Sequence, residues 1–206
     1  MEEIKILGIS TSPRAKGYTA KLLNYALDGA ADLSKQGAVR VQTERYDVFG
    51  KHHLPCTACR VCKEGTAGCV LQDDMQALHE KMKEADGIIF ATPVYYYDVT
   101  AQCKLIIDRS FAISPFGDQK AGAIITTASS IGTSSAISTL QMFFGAHGVT
   151  SAGWLSAYKT ADEGQAAIET AVALGQKTAQ LAYEKKKLAS DAFGSFRHIA
   201  YGTHTI

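Results

Sequence analysis

Short apolar runs alternate with segments of helical spacing along the whole chain, and this alternation constrains the fold more than any other feature. Ile4 to Ile9 is the first run, and Thr19 to Leu33 behind it carries apolar residues at helical intervals. Val39 to Val48 alternates apolar and polar residues and reads as a second strand. Met75 to Ala85 reads as a helix opened by Asp73 and Asp74, whose oxygens suit the free N–H groups and positive dipole at a helix start. Gly87 to Thr92 is a buried strand, followed by Thr100 to Phe111 as helix, Ala121 to Thr127 as strand and Thr133 to Gly145 as helix. Val149 to Ser156 is the last strand and Glu163 to Lys187 a long final helix. Short apolar strands separated by helices pair in parallel through crossovers. The expected fold is therefore α/β, a three-layer doubly wound five-stranded parallel sheet.

At 206 residues and 46% hydrophobic, the chain is expected to form one domain over residues 1–187. Within it, residues 50–72 form a cysteine-rich loop in place of a short connection, and residues 188–206, with His198 and His204, form a tail without clear periodicity. The net charge of +1 and the lack of a long basic stripe give no electrostatic case for nucleic acid or an anionic membrane. No apolar run reaches the roughly 18 residues of a spanning helix, and Glu2 and Glu3 precede the first strand, so a cytoplasmic protein is expected.

Four of the five cysteines, Cys56, Cys59, Cys62 and Cys69, lie between Pro55 and Cys69. Three of them fall at every third position, and the fourth follows a Glu64-Gly65-Thr66-Ala67-Gly68 stretch that suits a sharp turn. A chain coiling with two-residue gaps delivers a thiolate to each of three corners of a cubane iron–sulfur cluster, and the fourth ligand comes from farther along. Structural zinc also takes four thiolates, but usually as two pairs separated by a long spacer. Iron–sulfur ligation is the reading the spacing favours; zinc and redox-active or unligated thiols stay open. Disulfides suit this chain poorly. Cys103 stands apart and reads as a small buried hydrophobe.

In an open parallel sheet, ligands bind beyond the carboxyl ends of the strands, where strand order reverses. Three loops belong there. Ser10 to Thr19 is rich in hydroxyls, lacks the three glycines of a dinucleotide fingerprint, and suits a terminal phosphate at a helix N-terminus, with Arg14 adding charge. A solvated Ser/Thr turn is the alternative. Thr92 to Thr100 carries Tyr95, Tyr96 and Tyr97, of which at least one should line a surface pocket for a flat ligand, unless it is a structural tyrosine corner. Thr127 to Thr133 supplies small residues and donors. Together these describe a flavin mononucleotide (FMN) site.

The loop Ser10 to Thr19, the segment Thr92 to Tyr96, the Lys104 to Arg109 stretch and the cysteine loop followed by Asp73-Asp74-Met75 together resemble the iron–sulfur flavoproteins of the NAD(P)H-dependent FMN reductase group. The resemblance covers roughly residues 4 to 156 and implies a flavodoxin-like fold. It assigns the FMN phosphate to Ser10, Ser12, Arg14 and Thr19 and the ring system to Pro93, Val94, Tyr95, Tyr96, Thr127 and Gly132. Tyr18 occupies the place in the phosphate loop where the family usually carries Asn or Ser. Cys56, Cys59, Cys62 and Cys69 become ligands of a 4Fe-4S cluster, and Asp108 with Arg109 is expected to be a structural ion pair or cap. The resemblance also implies a homodimer or homotetramer, with ferredoxin or NAD(P)H as electron donor.

No acid–base triad is evident in the sequence, so no catalytic side chain is assigned and the chemistry is expected from the cofactors. Lys51, Arg60 and Lys63 flank the cysteines and suit either offsetting a cluster's charge or docking an acidic partner; a solvated surface is the alternative. The alternatives to an electron-transfer flavoprotein are an NAD(P)H-dependent FMN or quinone reductase without a cluster, and a cysteine-based redox sensor on a flavodoxin-like scaffold.

Overall fold

The computed structural model describes residues 2–64, 68–158 and 164–191, so His198 and His204 lie outside the described residues. Its strands are β1 (Glu2–Ser10), β2 (Val39–Asp47), β3 (Gly87–Pro93), β4 (Ala121–Ala128) and β5 (Thr150–Tyr158). The helices are α1 (Tyr18–Asp32), α2 (Val61–Glu64), α3 (Met75–Glu84), α4 (Ala101–Arg109), α5 (Thr133–His147) and α6 (Gln165–Asp191). All strand pairs are parallel, in the order β2-β1-β3-β4-β5. This is the flavodoxin-like order, and it reverses between β1 and β3. The expected strands and long helices are all present; α2, a single turn inside the cysteine segment, has no counterpart in the periodicity, and α6 runs on to Asp191.

Burial explains why the strands read differently in the sequence. Every residue of β3 and β4 is buried because both have neighbours on each side and helices on each face, whereas edge strand β2 is mostly exposed or half-buried. One core packs α1 and α6 on the sheet through Ile4, Ile6, Leu22, Leu23 and Leu174. The opposite core joins α3, α4 and α5 through Leu78, Met82, Ile106, Leu140 and Phe144, with Phe90 edge-on to Phe143 at 5.6 Å. No helix among the described residues is long and apolar enough to cross a membrane.

Helices α1 and α6 meet backbone to backbone. A methyl group on Gly175 would sit 1.8 Å from the carbonyl oxygen of Ala26, and one on Gly29 would sit 2.2 Å from that of Val172. Any side chain at either glycine forces the helices apart. Gly175→Val is expected to cost about 3 kcal/mol or more of unfolding free energy by urea titration, at the upper end of overpacking costs; an unchanged midpoint would refute the close approach.

His79 and His147 are 4% and 6% exposed, and each has one ring nitrogen without a partner among the described residues. Burial pulls both imidazoles down to about 4, with the charge of Arg109 adding to the effect at His79 and that of Lys63 at His147. The unfolded chain therefore takes up protons near pH 6.5 that the native state refuses. Stability should be full above about pH 6.5 and fall as pH drops towards 4, by up to about 2 kcal/mol per imidazole at pH 5. His147→Phe should flatten that slope in urea midpoints measured across the range; a slope equal to the wild type's would rule His147 out.

Candidate functional site

Four connections leave the carboxyl edge of the sheet: residues 11–17 after β1, 48–74 after β2, 94–100 after β3 and 129–132 after β4. The first three strands in space thus gather the phosphate-type loop, the tyrosine loop and the cysteine segment at one end.

In the first loop, Ser12 Oγ accepts from the Arg14 amide at 3.1 Å and donates to the Arg14 carbonyl at 3.2 Å, while the Gly17 amide donates to the same carbonyl. Gly17 caps α1 with no side-chain hydrogen bond, and the first turn holds no acidic residue. A helix start without a side-chain cap or an acidic first turn suits an anion. The Ser10 hydroxyl is buried and meets no partner among the described residues. Thr19 is already engaged, its hydroxyl 2.6 Å from that of Thr127, which ties the start of α1 to the end of β4. The Arg14 side chain is exposed, and the ring of Tyr18 packs against the α1–α6 core.

Arg45, which sequence reasoning passed over, anchors this loop from β2. Its guanidinium donates to the Ala15 carbonyl at 2.9 Å, to Asn24 at 2.7 Å and to Asp47 at 2.6 and 3.1 Å. An alternating edge strand hides such a residue among its polar positions.

The tyrosine loop is a tight hairpin. Tyr95 and Asp98 exchange backbone hydrogen bonds of 2.9 and 3.3 Å, and the two residues between them have φ of 49° for Tyr96 and 70° for Tyr97. Two consecutive positive φ values define the turn that ordinarily takes Asn-Gly, so two tyrosines there store strain. Asp98 accepts from Thr139 of α5 at 3.0 Å, and Val94 donates to the Thr127 carbonyl at 2.7 Å. Gly132, at φ 98°, lies so close that an added methyl would sit 2.9 Å from the Tyr97 Cα. All three tyrosines are exposed, Tyr96 by 96%. The hairpin thus presents aromatic rings to solvent while Pro93 and Thr127 are buried beneath it.

The cysteine segment stands on a rigid base. Asp73 accepts from the Leu54 amide at 2.7 Å and the Met75 amide at 2.9 Å, and Gln76 accepts from the Asp73 amide, which closes a capping box at α3. Asp74 accepts from the His52 amide at 2.8 Å and returns its own amide to the His52 carbonyl. Tyr46 lies 2.8 Å from His53 Nε2 and donates to the Asp74 carbonyl. Arg109 closes the base: Nη1 donates to the Leu54 carbonyl and to Asp73, both at 2.7 Å, and Nη2 donates to Asp73 at 3.2 Å and the Leu71 carbonyl at 3.5 Å. The expected Asp108–Arg109 pair is thereby corrected. Successive helical residues point to different sides, so Asp108 pairs with Lys104 on the exposed face while Arg109 reaches Asp73 in the interior. The signal lay in Arg109 following Ile106 by three residues on the buried face.

Burial works against both charges. Hydrogen bonds from Arg109 and the two amides nevertheless hold the Asp73 carboxyl below its usual range, and Asp73, with a contribution from Cys69, holds the guanidinium above its own. Cys103 is buried with its thiol pushed up to about 12 by burial, an inert hydrophobe as expected.

The tip of the segment carries Cys56 and Cys59, both exposed, and Cys62 and Cys69, both half-buried; none is in a disulfide. The Ala58 amide donates to Cys56 Sγ at 3.4 Å. Ala58 and Arg60 have φ of 55° and 63°, alternating with residues of negative φ, the backbone pattern of an anion-binding nest. Lys63 lies 4.1 Å from the Phe111 ring centroid and pins α2 to the turn after α4. Among the described residues, no group of three or more Cys, His, Asp or Glu side chains converges on a common point. The donor set, the N–H···S bond and the nest fit an anionic iron–sulfur cluster. A cleft of about 240 Å³ between Pro13, Phe49, Lys51, His53 and Leu105 joins this segment to the first loop.

The profile of the NADPH-dependent FMN reductase family matches residues 4–161. An iron–sulfur flavoprotein of Methanocaldococcus jannaschii is 41% identical over 107 residues, 52% of each chain. One from Methanosarcina thermophila is 38% identical over 107 residues, again 52% of each. The matched part of the chain spans about half the length of these curated relatives. A flavone reductase structure superposes with a TM-score of 0.67 at 20% identity, over 89% of this chain and 64% of its own, a likeness of fold.

The strain in the hairpin is measurable. Tyr96→Asn with Tyr97→Gly should raise unfolding free energy by about 1–2 kcal/mol. A urea midpoint equal to or below that of the wild type would mean the turn stores none.

Proposed function

Because the chain belongs to the NADPH-dependent FMN reductase family, we propose that it is a flavin-dependent oxidoreductase holding FMN and a 4Fe-4S cluster, and that it passes electrons between a low-potential donor and an acceptor. The observation that carries this reading is the shared edge: an uncapped α1 N-terminus and a cysteine segment on a rigid base both lie at the carboxyl edge of the sheet. The iron–sulfur flavoproteins to which the chain is similar support it.

When bound, FMN supplies hydride acceptance and single-electron release, and a cubane cluster supplies one-electron transfer. The chain's own residues bind and orient. Ser12, the α1 amides and Arg14 would take the phosphate, Arg45 holding their loop in shape. The hairpin from Tyr95 to Asp98 would wall the ring site, with Gly132 allowing backbone to approach. Cys56, Cys59, Cys62 and Cys69 would hold the cluster. The donor we assign is ferredoxin or NAD(P)H, and the assembly a homodimer or homotetramer.

A reductase without a cluster is the second reading, favoured by the dispersed thiols among the described residues. Oxygen-free purification followed by iron, sulfide, zinc and FMN analysis separates the two. Roughly four irons and four sulfides beside one FMN are expected; FMN without iron would favour the second reading, and zinc in its place would overturn the cluster.

Cys59→Ala should lose iron and sulfide yet keep FMN, since the two sites rest on different loops. Loss of both cofactors from folded protein would contradict that separation. Ser12→Asp should weaken FMN binding about tenfold or more, by setting a carboxylate against the phosphate, and leave iron content unchanged. Equal flavin affinity would remove Ser12 from the site.

A further inference from the structure

We propose that Arg109 is a positioning residue for the cysteine segment: it fastens both ends of the segment and presents its Nε–H to the sulfur of Cys69, so that it sets the reduction potential of the group the cysteines hold. This rests on the cluster reading above.

Three observations lead here. The guanidinium reaches both sides of the segment, the Leu54 carbonyl before it and the Leu71 carbonyl after it, with Asp73 between them. Those contacts use Nη1 and Nη2 and leave Nε. Arg109 is 2% exposed, and its Nε is a buried donor without a partner among the described residues. A buried orphan donor is costly, and natural interiors tolerate few. The cluster thiol nearest it along the chain is Cys69, two residues before Leu71, whose carbonyl the same guanidinium holds. Cys69 is also the thiol separated from the other three by the long gap, so its place depends most on an anchor outside the segment.

Arg109 would then act on the cluster in two ways. Its fork fixes the separation of residues 54 and 71, which limits how far Cys69 swings from Cys56. Its Nε–H stabilises negative charge on sulfur, and the reduced cluster carries one more electron than the oxidised one. Hydrogen bonds to cluster sulfurs therefore favour reduction. Lysine keeps the charge but not the planar fork, and does not replace arginine at such a site.

The test is redox titration of the cluster, followed by electron paramagnetic resonance, in wild type, Arg109→Lys and Phe111→Ala. Phe111 anchors the same segment through Lys63 and carries no charge, so its loss reports on loosening alone. Arg109→Lys should lower the equilibrium constant for one-electron reduction about tenfold, a shift of about 59 mV, with FMN content unchanged and Phe111→Ala close to wild type. Equal potentials in wild type and Arg109→Lys, or the same shift in both variants, would reduce Arg109 to a structural tie. Should Arg109→Lys fail to fold, 15N-arginine-labelled protein carrying Arg60→Gln still decides: a nitrogen hyperfine coupling to the reduced cluster is expected, and its absence overturns the contact. Wild type without iron and sulfide would instead overturn the cluster reading, and this inference with it.

Discussion

The guanidinium of Arg109 and the carboxylate of Asp73 meet at 2.7 Å with side-chain exposures of 1% and 0%, and the carboxyl edge of the molecule is built on that pair. Desolvating two charges costs several kcal/mol per ion, so such a pair is weak evidence of net stability. Its effect is on placement. Asp73 also accepts from the amides of Leu54 and Met75, so one carboxylate joins the entrance of the cysteine segment, its exit and the start of α3. Removing either partner would strand a buried charge, at about 3–5 kcal/mol. An apolar pair could fill the same volume, but it would not specify which residues of the long connection lie together.

Around that fixed base the edge is left deliberately unsatisfied. The first turn of α1 has no side-chain cap, the Ser10 hydroxyl and Arg109 Nε lack partners among the described residues, and Tyr96, Tyr97, Ala58 and Arg60 hold positive φ. Orphan polar groups and non-glycine residues in the left-handed region persist only where surrounding structure over-determines them. Among the described residues, four of the five non-glycine residues with positive φ lie on the loops at the carboxyl end of the sheet, whereas Gln119 precedes β4 at the opposite end, and the other buried orphans, on His79 and His147, lie in α3 and α5.

The frame was legible in the sequence because parallel sheets impose strong patterns. The continuous apolar runs at Gly87 to Thr92 and Ala121 to Thr127 are the signature of strands covered on both faces, and the helical spacing between them left few other topologies. The doubly wound parallel sheet and the three loops at its carboxyl edge followed from the same logic, while the order 2-1-3-4-5 emerged only in the structure. What stayed hidden depends on contacts between residues far apart in sequence. Arg109 and Asp73 are 36 positions apart, and Arg45 reaches Ala15 across 30. Local spacing carries no trace of such partners. The Tyr96-Tyr97 turn was invisible for another reason: turn chemistry expects Asn or Gly at those positions, so two tyrosines argued against the conformation they adopt.

A rigid base with an exposed tip also accounts for how the cysteine segment fits a protein of this kind. Were its thiols held by an extensive core, assembling a cluster would require opening that core. Were the segment free at its base, ordering it would cost roughly 1–2 kcal/mol per residue fixed. Pinning residues 52–54 and 71–74 confines that cost to the short stretch between them, while Cys56 and Cys59 at the tip stay exposed. Lys63 on Phe111 fixes the middle of the stretch and shortens it further. The same economy holds for the first loop and the tyrosine hairpin, where Thr19 on Thr127 and Asp98 on Thr139 fasten the roots of loops whose rims stay open. Both sites are thus anchored at their roots to a common sheet, so a change in the separation of their rims needs only the short tips to move.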